Sequence, residues 1–291
     1  MKLYTPSTIM EIQKKYNLRP SKSLGQNFLA DQNIIRSMIE KSEIKKTDLV
    51  IEIGPGIGAL TEALCQEAGL VLAVEIDKQM MAILGETLAA YPNKIILNQD
   101  ILKTDINALI KDTCLPDGTT PQAVKVVANL PYYITTPILM KLLEDRVPAV
   151  SLTMMMQKEV AQRLTASPGS KEYGAITLAV RYYSEATKIL QVPKDVFIPK
   201  PKVDSTVVLF KVREFPLVSV KNEALLFGLI KGGFGMRRKT LLNSLVGVAD
   251  MTKQQVGEAL RAAGIEESRR GETLSLEEFA KLSNQVSEVF E

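Results

Sequence analysis

The sequence predicts an α/β protein in which an open, mostly parallel sheet is followed by a small all-helical domain. Three observations carry this. From Asp48 onward, short β-branched runs alternate with helical periodicity, the pattern of repeated strand and helix units. A glycine-rich turn, Gly54-Pro55-Gly56-Ile57-Gly58, joins the first run to the first helix, where nucleotide-binding folds bring backbone amides to a ligand. Beyond Glu214-Phe215-Pro216 only helical periods remain. The expected division is residues 1–47 as a helical and loop segment packing on the core, 48–214 as the sheet domain, and 215–291 as the helical domain.

Composition narrows the chemistry. With 291 residues, 46% hydrophobic and 24% charged, the chain has the balance of a globular protein with room for one large and one small domain. No apolar run approaches the roughly 20 residues a membrane helix needs, and no charged-then-apolar leader opens the sequence, so a cytoplasmic location is expected. Cys65 and Cys114 are too few for a disulfide framework or a zinc cluster. Histidine is absent, which removes the usual general base, the Ser-His triads and most transition-metal sites. Any reaction here must need little proton transfer from a side chain, and no metal is expected. Net charge is +3, distributed unevenly: nine Lys/Arg against four Asp/Glu in residues 1–47, twelve against sixteen in 48–190, fifteen against thirteen in 191–291. Basic flanks suit a polyanionic partner, although differences of this size also fit an ordinary solvated surface.

In chain order, Thr5 is placed to cap a helix to Tyr16, with Pro6 at its first position. Lys22-Ser23-Leu24-Gly25-Gln26-Asn27-Phe28-Leu29 has neither period and reads as an ordered loop. Asp31 caps the next helix, with Ile34, Ile35, Met38 and Ile39 on one face. Leu49–Ile53 is the first strand, and Gly54, Gly56 and Ala59 satisfy the dinucleotide spacing G-x-G-x-x-G/A. Val71–Val74 ends in Glu75, about 20 residues on, where an acid can take ribose hydroxyls. Ile95–Asn98 leads to Asp100, able to accept from the amino group of an adenine edge. A surface Glu and a helix-capping Asp are ordinary alternatives, but a glycine loop, Glu and Asp at three consecutive strand ends together favour an adenosine.

The fourth strand, Val124–Ala128, delivers Asn129-Leu130-Pro131-Tyr132. These residues offer a carboxamide, a carbonyl that Pro131 leaves free of a helical ladder, a fixed φ and an aromatic ring. An exocyclic adenine amine is a poor nucleophile because its lone pair is delocalised into the ring. Acceptors on its two hydrogens would draw it towards a tetrahedral geometry while Tyr132 stacks on the base. The tetrapeptide alone fits equally a strand-end turn whose Asn caps and whose Tyr packs.

Thr136 and Pro137 are expected to open a helix through Leu139, Leu142 and Leu143. Val150–Met156 reads as a strand, 157–164 and Ala175–Tyr183 as helices, and Ala186–Val192 and Ser205–Val212 as a closing pair of strands. Between these last two, Phe197-Ile198-Pro199-Lys200-Pro201-Lys202-Val203-Asp204 holds an extended path with an exposed aromatic and two lysines, either over a target base or as a rigid linker. Four helices follow: Val220–Phe234, Arg237–Val246, Thr252–Ala263 and Ser275–Phe290. Arg237-Arg238-Lys239 at a helix start would oppose the helix dipole, a placement that makes sense beside phosphate.

These stretches, in this order, resemble a known family. Gly25-Gln26-Asn27-Phe28-Leu29, Glu52-Ile53-Gly54-Pro55-Gly56-Ile57-Gly58, Val74-Glu75-Ile76-Asp77, Gln99-Asp100, Asn129-Leu130-Pro131-Tyr132 and Phe197 to Ser205 are similar to motifs of the small-subunit ribosomal RNA adenine N6,N6-dimethyltransferases, across essentially the whole chain. The resemblance implies a seven-stranded, Rossmann-like sheet that binds S-adenosyl-L-methionine, with a helical C-terminal domain. Asn27, Leu29, Gly54, Gly56, Glu75, Asp100 and Asn129 would hold the cofactor; Asn129, Leu130, Pro131 and Tyr132 would handle a flipped adenine. Lys22, Phe197, Lys200, Lys202, Arg237, Arg238 and Lys239 would contact RNA. The implied activity is N6,N6-dimethylation of two adjacent adenosines in a hairpin near the 3′ end of small-subunit ribosomal RNA, with a role in subunit maturation. Separately from the resemblance, a monomer is expected. A large-subunit adenine methyltransferase of the antibiotic-resistance type shares the core motifs. A nicotinamide-dependent dehydrogenase would explain Gly54 to Glu75 but not Asn129 to Tyr132, and an assembly factor would rely on RNA binding more than on catalysis.

Overall fold

A computed structural model gives the structure of the chain and describes residues 2–18, 25–236 and 238–290. The local signals act as read at the start. The Thr5 hydroxyl accepts from the Thr8 amide and Pro6 opens α1 (Pro6–Lys15), which buries Ile9 and Ile12. Phe28–Leu29 forms a short strand, β1, where only a loop was expected. Asp31 accepts from the amides of Asn33 and Ile34 and starts α2 (Gln32–Lys41), whose Ile35, Met38 and Ile39 are buried.

Strands and helices then alternate as β2 (Asp48–Ile53), α3 (Ala59–Glu67), β3 (Leu70–Glu75), α4 (Lys78–Thr87), β4 (Lys94–Asn98), α5 (Ile106–Lys111), β5 (Ala123–Asn129), α6 (Tyr132–Glu144), β6 (Ser151–Gln157) and α7 (Lys158–Leu164). After α8 (Ala175–Tyr183) come β7 (Ser184–Val192), β8 (Phe197–Ile198) and β9 (Ser205–Val212). The seven-stranded sheet has the order β4-β3-β2-β5-β6-β9-β7, with β4 to β6 parallel and β9 antiparallel to β6. Every residue of β2 and β3 is buried, as expected for parallel strands covered on both faces. The chain runs outward from β2 to β4, then returns to β5 on the other flank of β2. That reversal opens a crevice at the carboxyl ends of β2 and β5, the place where such sheets bind ligands.

The chain forms two compact units, Met1–Ala161 with Thr187–Val212, and Gln162–Ala186 with Arg213–Glu291. The expected boundaries at 47/48 and 214/215 differ from this division. Described residues of the N-terminal segment share the sheet's core, with Leu3, Ile9, Phe28 and Ile35 packed in one cluster with Val50, Leu64 and Val127. Residues 162–186 belong with the C-terminal helices α9 (Glu223–Gly235), α10 (Leu241–Ser244), α11 (Lys253–Ala262) and α12 (Leu276–Phe290). In this second unit Tyr173 donates to the Leu274 carbonyl at 2.9 Å and meets Phe234 edge-on, while Tyr183 bonds Glu223 at 2.6 Å. These polar tips on buried aromatics are invisible to periodicity.

Two helix starts depart from the sequence reading. Helix α6 begins at Tyr132, because Pro131 at φ −55° already sets the entry, and Pro137 lies inside the helix. Lacking an N–H, Pro137 leaves the Tyr133 carbonyl without its helical donor. Helix α10 starts only at Leu241, behind Thr240, so Arg238 and Lys239 sit in the preceding turn, where the Lys239 amide donates to the Met236 carbonyl. They therefore do not face a helix N-terminus from its first turn.

At the foot of the sheet, buried Asp48 and Lys125 pair at 3.0 Å. Replacing Lys125 with Met leaves a buried carboxylate without its cation. The expected loss is about 3 to 5 kcal/mol, read as a fall in the thermal unfolding midpoint, whereas replacing both residues with apolar ones should recover much of it.

Candidate active site

A cavity of about 240 Å³ opens at the crevice, and all of its lining residues belong to the first unit. Its floor is the turn after β2. Gly54 (φ +71°) donates to the Val74 carbonyl at 2.9 Å, and Gly56 (φ +57°) follows in the same left-handed region that favours glycine. A Cβ at Gly54 would stand 3.4 Å from Leu130, and one at Gly56 3.4 Å from the Phe28 ring, so these glycines keep a cradle open between the strand tips. Glu75 ends β3, and its two carboxylate oxygens accept from the amides of Gly56 at 3.2 Å and Asp77 at 2.8 Å. Asp77 caps α4 through the Gln79 amide and accepts from Gln26 Nε2 at 2.9 Å, which ties the 25–29 segment to the cavity rim. Asp100 accepts from the Leu102 amide at 3.0 Å.

Asn129 ends β5, paired in register with Met155, and lines the cavity with Leu130, Pro131 and Tyr132. The half-buried Tyr132 ring is fixed by a 2.9 Å hydrogen bond between its hydroxyl and Ser205 Oγ on β9. Burial raises its pKa, and the nearby Asp204 charge adds to the rise while the Ser205 bond opposes it. The phenol is therefore neutral at physiological pH.

The structure gathers Asn27, Leu29, Gly54, Gly56, Glu75, Asp100 and Asn129 to Tyr132 around one cavity. Phe197 joins them, but not as the exposed aromatic expected. It is 4% exposed, paired with Leu29 through β1 and β8, because burying the ring between those two segments removes more apolar surface from water than displaying it. Lys200 and Lys202 stand exposed outside the cavity lining, Lys200 ion-paired with Asp195. Arg238 and Lys239 are exposed in the second unit, and Lys22 and Arg237 lie outside the described residues.

Among the lining residues to which the sequence reading assigns no site role, Glu52 and Tyr133 stand out. For Glu52 the signal was a single charge inside the apolar run of β2. It is 1% exposed, and burial pushes its pKa up to about 8, with the Glu75 charge adding to the rise. The Thr61 hydroxyl tempers that rise from beside it but falls outside hydrogen-bond geometry. Burial likewise raises Glu75, against the opposing amide bonds. Among the described residues no group of three or more His, Cys, Asp or Glu is placed to hold a metal, and no helix is long and apolar enough to cross a membrane.

A seven-stranded, mostly parallel sheet with a glycine cradle, a rim acid and an Asn-Leu-Pro-Tyr turn at adjacent strand tips defines a Rossmann-like methyltransferase. In two solved structures the resemblance extends beyond the sheet: a dimethyladenosine transferase from Plasmodium falciparum (25% identity, covering 90% of this chain and 98% of that one, TM-score 0.76) and the 23S rRNA methyltransferase ErmE (26%, 89% and 99%, TM-score 0.68). The chain belongs to the ribosomal RNA adenine dimethylase family, whose profile matches residues 17–288. Ribosomal RNA small subunit methyltransferase A of Alkaliphilus oremlandii (strain OhILAs) is 50% identical over 287 residues, 98% of each chain, and the protein of that name from Clostridioides difficile (strain 630) is 48% identical over 286 residues, 98% of this chain and 97% of its own.

The donor set fits S-adenosyl-L-methionine. The glycine cradle admits a close ligand, Glu75 presents an acceptor at the tip of β3, and Asp100 stands at the next tip.

The buried acid sets a pH dependence. The folded chain keeps the Glu52 proton up to about pH 8, whereas the unfolded chain releases it near 4.5. Between those values the unfolded state binds fewer protons, so stability falls as pH rises through the window. Glu52→Gln should flatten that slope in urea unfolding measured at its two ends, leaving the smaller contribution of Glu75, which has the same sign.

Proposed function

We propose that this chain transfers methyl groups from S-adenosyl-L-methionine to N6 of two adjacent adenosines in a hairpin near the 3′ end of small-subunit ribosomal RNA, acting as a cytoplasmic monomer on immature small subunits. One observation carries it: Asn129 to Tyr132, at the tip of β5, share a cavity with the cradle and acid that suit a nucleoside cofactor. The names of the small-subunit relatives support the choice of subunit over the 23S enzyme.

The cofactor's sulfonium carries an activated methyl group, so in-line transfer needs alignment more than a base, in keeping with a chain without histidine. Gly54, Gly56, Glu75 and Asp100 would hold the donor nucleoside, with Asn27 and Leu29 lining the same cavity. The target adenine leaves its stack to enter the cavity. There the Asn129 side-chain oxygen accepts one N6 hydrogen, the main-chain carbonyl ahead of Pro131 accepts the other, and the Tyr132 ring, steadied by Ser205, lies against the base. Leu130, 6% exposed, lines the wall at that point, and the N6 proton displaced by each incoming methyl group passes to solvent. Lys22, Lys200, Lys202, Arg237, Arg238 and Lys239 would meet phosphates, and Phe197 supports the wall beneath the base rather than stacking from outside.

Incubation with unmethylated small subunits and labelled S-adenosyl-L-methionine, followed by mapping, should place the label on paired adenosines; label on separated large subunits instead would reject the reading. Asn129→Ala should lower the transfer rate by about 10²- to 10³-fold while cofactor binding stays measurable by calorimetry. Replacing Arg238 and Lys239 together with Ala should weaken RNA binding and reduce the slope of log affinity against log salt by about one to two units.

A further inference from the structure

Tyr133 has no part in the scheme above, yet it lines the same cavity and is 60% exposed. Among the described residues of the first unit it is the only exposed large aromatic. Consecutive helical residues point about 100° apart. While Tyr132 turns inward to Ser205, its neighbour is therefore carried to the mouth. One edge of the ring lies close to the Gly25 turn: a Cβ placed on Gly25 (φ +58°) would lie 3.6 Å from Tyr133 Cε1 and 3.2 Å from Pro131 Cβ. The other exposed apolar lining residues, Ile76 (54%) and Leu102 (37%), lie just past the ends of β3 and β4, where the donor nucleoside is placed. Tyr133 alone occupies the acceptor side, four residues beyond Asn129.

We infer that Tyr133 is an RNA-binding residue whose ring is a stacking platform for the nucleobase flanking the one held at Asn129. The inference rests on the reading that this cavity takes an adenosine from RNA. Extruding one base strips its neighbour of a stacking partner, and a rigid aromatic face at the mouth replaces it. Every base has a π-face, so this contact adds affinity without reading sequence.

The test compares the full chain with Tyr133→Ala, Tyr133→Leu and Tyr133→Phe on unmethylated small subunits with labelled S-adenosyl-L-methionine, and measures cofactor affinity by calorimetry, which also reports a folded cavity. Tyr133→Ala should raise KM for the subunit about tenfold, far more than it changes kcat, with cofactor affinity unchanged. Tyr133→Phe should restore KM, and Tyr133→Leu, apolar but without a ring, should not. An unchanged KM in the Ala variant, or rescue by Leu, overturns the platform. A loss of cofactor affinity matching the rise in KM overturns it too, by showing that the ring serves the donor side. If the unaltered chain methylates no subunit adenosine, the functional reading falls and takes this inference with it; if it does and the Ala variant matches it, only the inference falls.

Discussion

The parallel pairing of β2 with β5 is the constraint from which the rest of the site follows. Their register places Ile53 beside Ala128, so the next residues, Gly54 just past β2 and Asn129 at the end of β5, come side by side. A Cβ on Gly54 would approach the Asn129 carbonyl to 4.0 Å. A one-residue shift would turn the opposite set of side chains to each face. Both strands are wholly or largely buried, so such a shift would press side chains packed against one covered face into the other, and the register is fixed by packing as much as by hydrogen bonds.

The electrostatics follow from what surrounds those tips. A dry floor keeps Glu52 protonated near neutrality, while Glu75, only one strand away, is gripped by two amides that favour its charge. Burial raises both acids, and only Glu75 has backbone donors that oppose the rise. The proton kept on Glu52 leaves the floor of the site with less negative charge than its composition implies, and Glu75 stands at the rim where a ribose would meet it.

Much of this was legible in the sequence. Ala175–Tyr183 and Ser205–Val212 fold over the residues their periods predict, and the glycine turn, Glu75, Asp100 and Asn129 to Tyr132 all arrive at one cavity. What escaped has a common physical cause, long-range contact. Phe28–Leu29 and Phe197–Ile198 are too short to show a period and are strands only because each finds the other. Residues 162–186 carry local signals of a helix and strand, and nothing local says that Tyr173 and Tyr183 bond within the second unit. One miss is local instead: α10 begins at Leu241 behind Thr240, inside the span that the sequence reads as helix from Arg237.

The two-residue ladder between β1 and β8 has a mechanical meaning. It forms one wall of the cavity from segments far apart in the chain, joined further by Gln26 reaching to Asp77 and the Ala30 amide to the Val196 carbonyl. Phe28, Leu29 and Phe197 are buried in the same cluster as Val50 and Val127, so parting the ladder would strip apolar surface from the core as well as break hydrogen bonds. The cavity keeps this wall for as long as the sheet keeps its core.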